Sequence, residues 1–225
     1  MSEIVLTFHD VVLRQWDIAL LKPNKWLNDN ILAFFMEYFA EEMFAEQKQR
    51  IAFVDPSLAH LLKMADKRDL RTFPQLLGWN EKELLIIPVN DCMSAEGGGG
   101  HWSLLVYRRS EKKFECYDSM PMNRLVGKSI NLLTRKLTSI LEENVSEDSE
   151  DPILDVLTCA QQTNSSDCGV YVVIFAQLVA KDFCHRNPQF YNDLLSLDQN
   201  DIEQMRVQML DIIASLKEKM NASKS

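Results

Sequence analysis

Cys168 is the residue of this sequence whose surroundings best suit covalent chemistry. It follows the turn-forming residues Asn164–Asp167 and precedes the apolar run Val170–Ala176. Asn, Ser and Asp favour turns and helix N-caps, so the cysteine is expected where a loop enters a buried element. At a helix N-terminus the dipole favours a thiolate, and the pKa of such a thiol is ~3.5–7.5 instead of about 8.5. Cys168 is therefore a candidate nucleophile, although a cysteine considered alone is more often an inert buried thiol.

A histidine and an aspartate are expected at one end of a β-hairpin. The strand-like runs Trp102–Arg108 and Lys113–Tyr117 are separated by a polar turn. If Arg109–Ser110 is a two-residue turn, His101 pairs with Asp118. Opposed residues of an antiparallel pair have Cβ atoms about 4.5–5.5 Å apart, so the hairpin would bring an imidazole and a carboxylate together. A register slip of two residues would still leave both at the same end.

These side chains suit nucleophilic catalysis when they are taken together. A thiol needs a base that removes its proton and later an acid for the leaving amine, and the imidazole of His101 can do both. The carboxylate of Asp118 would fix the imidazole tautomer and stabilise the imidazolium. The backbone N–H of Cys168 and the side-chain amide of Gln162 are candidate donors to an oxyanion. Considered alone, each residue has an ordinary structural explanation.

The composition fits a soluble globular protein. The chain has 225 residues, of which 46% are hydrophobic, and this supplies the core of one domain. We expect that domain over residues 1–220 and a disordered tail over residues 221–225. No apolar run approaches the ~18 residues that cross a bilayer, and Met1–Ile4 lacks the features of a signal peptide. These features predict a soluble protein of the cytosol or nucleus, without membrane contact.

Charge and cysteine spacing exclude several other classes. The formal net charge is -9 and no basic stripe is present, so no nucleic acid partner is expected. The five cysteines are scattered without CxxC spacing, which argues against a disulfide framework and a structural zinc site. No helical His-x-x-x-His pair is present either. We therefore expect neither a metal nor another cofactor.

Hydrophobic periodicity and turn residues predict the elements that position the candidate site. The apolar run 84–89 is typical of a buried strand, although Pro88 indicates the end of a strand or an edge strand. The run after Cys168 is ambiguous, and its length favours a buried helix over a strand. The predicted strands, besides the hairpin, are 4–8, 84–89 and 153–157, and the predicted helices are 29–46 (capped by Asn28 or Asp29), 56–63, 122–143, 170–180 and 198–219.

Several motifs resemble the Ulp/sentrin-specific cysteine proteases, which remove or mature ubiquitin-like modifiers. They follow the order of that family and extend from about residue 20 to residue 180. The matching motifs are Trp26–Asp29, Gly100–Val106, Tyr117–Ser119, Gln162 with Asn164, and Asp167–Tyr171.

The resemblance implies an α+β fold of the papain-like Ulp type, with a central mixed sheet flanked by helices and the catalytic cysteine at a helix N-terminus. It implies a triad of His101, Asp118 and Cys168. It also implies an oxyanion hole that contains Gln162.

The same resemblance implies a narrow channel for the Gly-Gly tail of the modifier, lined by Trp26, Asp29 and Trp102. Two glycines have no side chains, so a channel between flat indoles would exclude bulkier residues.

The segments Ile4–Leu6 and Val11–Gln15, and the compact length, resemble the deneddylase branch of the family. Its substrates are the precursor of the neddylation modifier and neddylated proteins such as cullins. The sequence is therefore interpreted as a monomeric thiol protease and isopeptidase of this branch. The alternatives are a SUMO-specific protease and an inactive modifier-binding module. The second is disfavoured because all three triad residues are present.

Overall fold

The computed structural model describes residues 3–66, 70, 77–121, 124–142 and 152–222. The strands of this part of the chain are β1 (Ile4–Phe8), β2 (Val11–Arg14), β3 (Ile51–Phe53), β4 (Leu84–Asn90), β5 (Trp102–Arg108), β6 (Lys113–Tyr117) and β7 (Ile153–Leu157). Its α-helices are α1 (Gln15–Ala19), α2 (Asp29–Tyr38), α3 (Pro56–Met64), α4 (Arg124–Leu141), α5 (Cys168–His185), α6 (Phe190–Ser196) and α7 (Gln199–Ala222).

A five-stranded mixed sheet forms the centre of the fold, and β1 and β2 form a separate antiparallel hairpin. The strand order is β3-β4-β5-β6-β7. The inner pairs β4–β5 and β5–β6 are antiparallel, whereas the outer pairs β3–β4 and β6–β7 are parallel. The α+β class with a central mixed sheet, predicted from the sequence, is confirmed.

Both faces of this sheet are covered by helices. Neighbouring residues of a strand project to opposite faces, so Leu84 packs into the core formed with α2, α5 and α7, and Leu85 packs into the core formed with α3 and α4. This double burial explains why the sequence of β4 is apolar without alternation.

Pro88 lies two residues before the end of β4, and β4 is an internal strand, not the edge strand that was one of the two expectations. On one side it is paired with Leu104 of β5. On the other side the pairing of β3 with β4 ends at Ile86, so the proline interrupts no ladder there. The short length of β3 is the feature that the sequence pattern did not reveal.

The helix that begins at Asn28 is shorter than predicted. The Asn28 side chain accepts a hydrogen bond from the N–H of Ile31 at 3.1 Å and caps α2. The α-helix ends at Tyr38, and a π-helical turn follows over Phe39–Met43. The extra residue in that turn lets the rings of Phe39 and Phe44 both pack on Phe53. The expectation of one helix to residue 46 was therefore wrong.

The apolar run after Cys168 is a helix, as the sequence length favoured. By length and hydropathy alone α5 would also be long enough to cross a membrane, but 61% of it is buried inside the protein, as expected of a core helix. At the other end of the fold, α7 includes Asn221 and Ala222, which the sequence had assigned to the tail. Residues 223–225 lie outside the described residues.

Candidate active site

The β5–β6 hairpin brings His101 and Asp118 together, although not in the predicted register. Arg108 pairs with Lys113, and the turn has four residues because the 3-10 turn Arg109–Glu111 is followed by Lys112 in the left-handed conformation (φ 49°). The register is therefore shifted by two residues from that of a two-residue turn. Both functional groups still lie at the same end of the hairpin.

The imidazole of His101 is hydrogen-bonded to the Asp118 carboxylate inside the protein. The distance from Nε2 of His101 to Oδ1 of Asp118 is 2.6 Å, and the residues are only 6% and 5% exposed. Oδ1 also accepts the N–H of Met120 at 2.9 Å. Among the described residues, Nδ1 of His101 and Oδ2 of Asp118 have no hydrogen-bond partner. The carboxylate thus fixes the imidazole through Nε2, and Nδ1 is available to another partner.

Cys168 is the first residue of α5 and is 2% exposed. Its side chain lies close enough to His101 to affect the protonation of the ring. Burial by itself would lower the pKa of His101, but the hydrogen bond to Asp118 and the interaction with Cys168 raise it to about 10. At neutral pH the imidazole therefore carries a proton, as a thiolate–imidazolium pair requires.

Gln162 is held beside the hairpin by Ser119. Its N–H donates to the Ser119 carbonyl at 2.7 Å, and its Oε1 accepts from the Ser119 hydroxyl at 2.7 Å. Nε2 of Gln162 donates to the carbonyl of Asn164 at 2.5 Å. The second hydrogen of this amide has no acceptor among the described residues, and neither does the backbone N–H of Cys168. Both groups are thus available to an oxyanion.

A cleft of about 430 Å³ leads to the imidazole. The three residues predicted to hold the substrate tail, Trp26, Asp29 and Trp102, all line it, together with Gly97–Gly100 and His101. Trp26 is 50% exposed. Cys168 and Gln162 are not part of this wall. The position of the cleft suits an extended chain that approaches His101 between the two indoles.

Close packing joins this cleft to the start of α5. A Cβ atom at Gly169 would lie 2.9 Å from Cβ of Leu27, a distance that side chains do not tolerate. Nε1 of Trp102 donates to the carbonyl of the same Leu27 at 3.1 Å. Leu27 therefore helps to set the position of both the start of α5 and the indole of Trp102.

Two sets of side chains that hold the site in place were not predicted from the sequence. Oδ1 of Asp91 accepts the N–H groups of Gly100 and His101 at 2.8 and 3.2 Å, so it fixes the main chain before β5. Behind Asp118, its carbonyl accepts from Sγ of Cys159 at 3.1 Å and from Nε2 of Gln161 at 2.8 Å. No spacing rule links these residues to the site, although Gln161 directly precedes Gln162.

An imidazole that bonds a carboxylate and lies beside a thiol at a helix N-terminus is the arrangement of a cysteine peptidase. The chain belongs to the Ulp1 protease family, whose C-terminal catalytic domain matches residues 25–220. The cysteine peptidase class that the sequence predicted is confirmed by this match.

Individual relatives agree with the family. The chain is 29% identical to sentrin-specific protease 8 of Rattus norvegicus, covering 99% of this chain and 100% of that protein. It is also 29% identical to NEDD8-specific protease 1 of Arabidopsis thaliana, with coverage of 94% and 93%. The fold is similar to the C-terminal Ulp1 protease domain in complex with Smt3, the yeast ortholog of SUMO. That similarity has a TM-score of 0.73 and 21% identity over 96% of this chain and 89% of the other.

Proposed function

We propose that the protein is a deneddylase, a thiol isopeptidase that cleaves after the C-terminal Gly-Gly of the neddylation modifier. The observation that carries the chemistry is the buried His101–Asp118 pair beside Cys168 at the start of α5. The choice of modifier is supported by the relatives named for sentrin-specific protease 8 and NEDD8-specific protease 1. Precursors of the modifier and neddylated proteins such as cullins are the substrates in this account.

In the first half of the reaction, the thiolate of Cys168 attacks the carbonyl carbon of the last glycine. The oxyanion that forms accepts hydrogen bonds from the N–H of Cys168 and the amide of Gln162. The imidazolium of His101 then gives its proton to the leaving amine as the C–N bond breaks. The products of this half are the free amine and a thioester between the modifier and Cys168.

In the second half, neutral His101 removes a proton from water, which attacks the thioester. The C–S bond breaks, the thiolate–imidazolium pair is restored, and the modifier leaves as a carboxylic acid that loses its proton to solvent. Throughout, Asp118 holds Nε2 of the imidazole and stabilises its positive charge. Trp26, Asp29 and Trp102 are proposed to bind the tail because they line the cleft that leads to His101.

The free thiols support an intracellular enzyme. All five cysteines are unpaired, and four of them are buried. Reducing compartments keep thiols in this state, so we place the protein in the cytosol or nucleus, where it acts as a monomer. A uniform sedimentation mass of about 26 kDa, the mass of one chain, would support the monomer.

The test is cleavage of the neddylation modifier precursor and of a neddylated cullin, with matched SUMO and ubiquitin substrates. Wild-type protein should cleave the first two preferentially. Cys168→Ala should abolish cleavage while modifier binding persists, because only the thiol is removed from the site. Cys184→Ala, which removes a cysteine that the mechanism does not use, is the matched control and should retain activity. Preferential cleavage of SUMO would instead support the SUMO-specific alternative, and cleavage by Cys168→Ala would contradict the mechanism.

A further inference from the structure

Asp167 occupies the N-cap position of α5 but its side chain does not cap the helix. Its backbone (φ -98°, ψ 0°) is not in the extended conformation of most N-caps, and no cap hydrogen bond is formed. The carboxylate binds Arg206 instead, with Oδ1 at 3.2 Å from Nε and 2.5 Å from Nη2. Oδ2 accepts from Asn164 at 2.7 Å and from Gln199 at 3.4 Å.

Arg206 extends from α7 into the protein and is 3% exposed. Besides Asp167, its guanidinium donates to main-chain carbonyls of the loop that precedes Trp26. These are the carbonyls of Leu20 (3.1 Å), Lys22 (3.2 Å) and Lys25 (2.8 Å). One buried side chain therefore joins the loop before the nucleophile to the loop before the cleft wall.

The position of the Asp167 carboxylate matters because it is adjacent to Cys168. An uncompensated negative charge there would disfavour a thiolate. A carboxylate at an N-cap also accepts from the first N–H groups of the helix. Among the described residues the N–H groups of Cys168 and Gly169 have no acceptor. Burial would raise the pKa of Asp167, but its hydrogen bonds to Arg206 and Asn164 lower it, so the group remains charged and paired.

We propose that Arg206 is a positioning residue of the active site: it neutralises the Asp167 carboxylate and holds it away from the start of α5. The free N–H groups of the helix are then left to the Cys168 thiolate and to the oxyanion. This inference rests on the proposed function only in taking Cys168 as the nucleophile. It gives α7 a role in the reactivity of the Cys168 thiol, although no residue of α7 takes part in the proposed reaction.

The other charged or titratable groups near the thiol are few among the described residues. His101 and Asp118 lie on the hairpin side, and Cys159 lies behind Asp118. Tyr171 is one helical turn further along α5. Burial raises its pKa, and the charges of Asp198 and Asp201, near the start of α7, add to this effect. The variants below leave all of these groups unchanged.

The experiment measures the pH dependence of iodoacetamide alkylation of Cys168, followed by mass spectrometry of its peptide. This readout needs no modifier. Arg206→Met should raise the alkylation midpoint by about one pH unit or more, because Asp167 is left uncompensated. At a pH below both midpoints, a rise of one unit should lower kcat/KM by about tenfold. The double variant Arg206→Met with Asp167→Asn should return the midpoint to within a few tenths of a unit of wild type.

The matched control is Arg109→Met at the far end of the sheet. Arg109 also binds three main-chain carbonyls, those of Lys82 (2.6 Å), Trp79 (2.8 Å) and Leu141 (3.2 Å). It should lower Tm without moving the alkylation midpoint. An unchanged midpoint in Arg206→Met, or a double variant no closer to wild type than the single one, would overturn the proposal.

Folding is checked by Tm, and a second variant covers the case in which Arg206→Met does not fold. Asp167→Asn alone removes the negative charge and keeps the guanidinium, so it should lower the midpoint; an unchanged midpoint would overturn the proposal. The alkylation midpoint of wild-type protein tests the proposed function separately from the role of Arg206. A wild-type midpoint near about 8.5, the value of a free thiol, would count against Cys168 as the nucleophile itself.

Discussion

At the residue scale, the proposed mechanism assigns the proton chemistry to His101 and Asp118. The imidazole is buried, its Nε2 is 2.6 Å from the carboxylate, and its pKa is raised to about 10 from the ordinary value of 6.5. A group with a raised pKa is protonated below that value and loses its proton above it. His101 can therefore act as the acid for the leaving amine at any pH below about 10.

This pKa predicts the alkaline side of the pH profile. In wild-type protein, kcat/KM should fall with a midpoint near pH 10, as the imidazolium is lost. Asp118→Asn removes the hydrogen-bonded charge, so the alkaline midpoint should move down by about 1–3 pH units. The amide also favours the wrong imidazole tautomer, and kcat should fall by roughly 10²–10⁴-fold.

The measurement is a pH series of reporter hydrolysis for the two proteins. Circular dichroism at each pH is the control for unfolding. An alkaline midpoint that is the same in both proteins would show that Asp118 does not set the protonation of His101.

At this scale the sequence predicted which residues meet but not how they meet. His101 and Asp118 flank the two strands of a hairpin, so either register places them at the same end. The actual register depended on Lys112, a non-glycine residue in the left-handed conformation, which the pattern did not indicate. Arg206 was also missed, although it is spaced four residues after Ile202 and three before Met209. A charge on an otherwise apolar helix face is the signal that would have found it.

At the scale of elements, the site depends on the close approach of α5 to the segment between Trp26 and Asn28. Gly169 is the contact point, because a Cβ atom there would meet Leu27 at 2.9 Å. The same segment begins α2 through the Asn28 cap, and Nδ2 of Asn28 donates to the buried carboxylate of Asp17 at 2.7 Å. The cleft wall is therefore held from both sides and has little freedom to adjust.

Gly169→Ala tests this contact. Alanine in a helix is normally more favourable than glycine by roughly 1 kcal/mol, but here the added methyl group must push the helix start away from Leu27. A displacement of about 1 Å at the nucleophile can cost ~10²-fold in rate. We therefore expect kcat/KM to fall by about that factor while the protein remains folded.

The assay compares hydrolysis with Tm for wild type and Gly169→Ala. Wild-type kcat/KM in the variant would show that α5 and Leu27 can separate without effect on the nucleophile.

The elements were predictable where one signal dominated. The run after Cys168 was too long for a strand, and Asn28, one of the two residues predicted to cap the helix over 29–46, is the N-cap of α2. Boundaries were less predictable when tertiary packing decided them. The π-helical turn after Tyr38 exists because two phenylalanines pack on Phe53 of a distant strand, and β3 was too short to leave a pattern.

For the whole molecule, the cleft lined by Trp26 and Trp102 is proposed to admit only a Gly-Gly tail. Trp26, Gly97–Gly100 and His101 line the same cleft, and a Cβ atom at Gly100 would already be in contact with the Trp26 ring, at 3.8 Å. The fold was predictable because five sequence motifs follow the order of one family. The width of the cleft depends on contacts between segments far apart in the sequence, and no local pattern encodes it.

The close approach of the Trp26 ring to Gly100 in the cleft wall predicts that the modifier's last two glycines matter more than the residue beyond them. Replacing the terminal glycine with alanine should reduce kcat/KM by about 10²-fold, since a small displacement of the reacting carbonyl is sufficient for such a loss. Changing the residue after the junction should have little effect. The measurement is cleavage of modifier–reporter fusions with Gly-Gly and Gly-Ala junctions, and equal rates would remove the reason for assigning Trp26 and Trp102 to the tail.

Covalent capture would identify both the nucleophile and the preferred modifier in one experiment. The protein is exposed to equal concentrations of the neddylation modifier, SUMO and ubiquitin, each with a C-terminal electrophile, and the adduct is located by mass spectrometry. We expect one adduct, on Cys168, that forms fastest with the neddylation modifier. It should be absent from Cys168→Ala and form much more slowly in Asp118→Asn. An adduct on another cysteine, or faster capture of SUMO or ubiquitin, would contradict it.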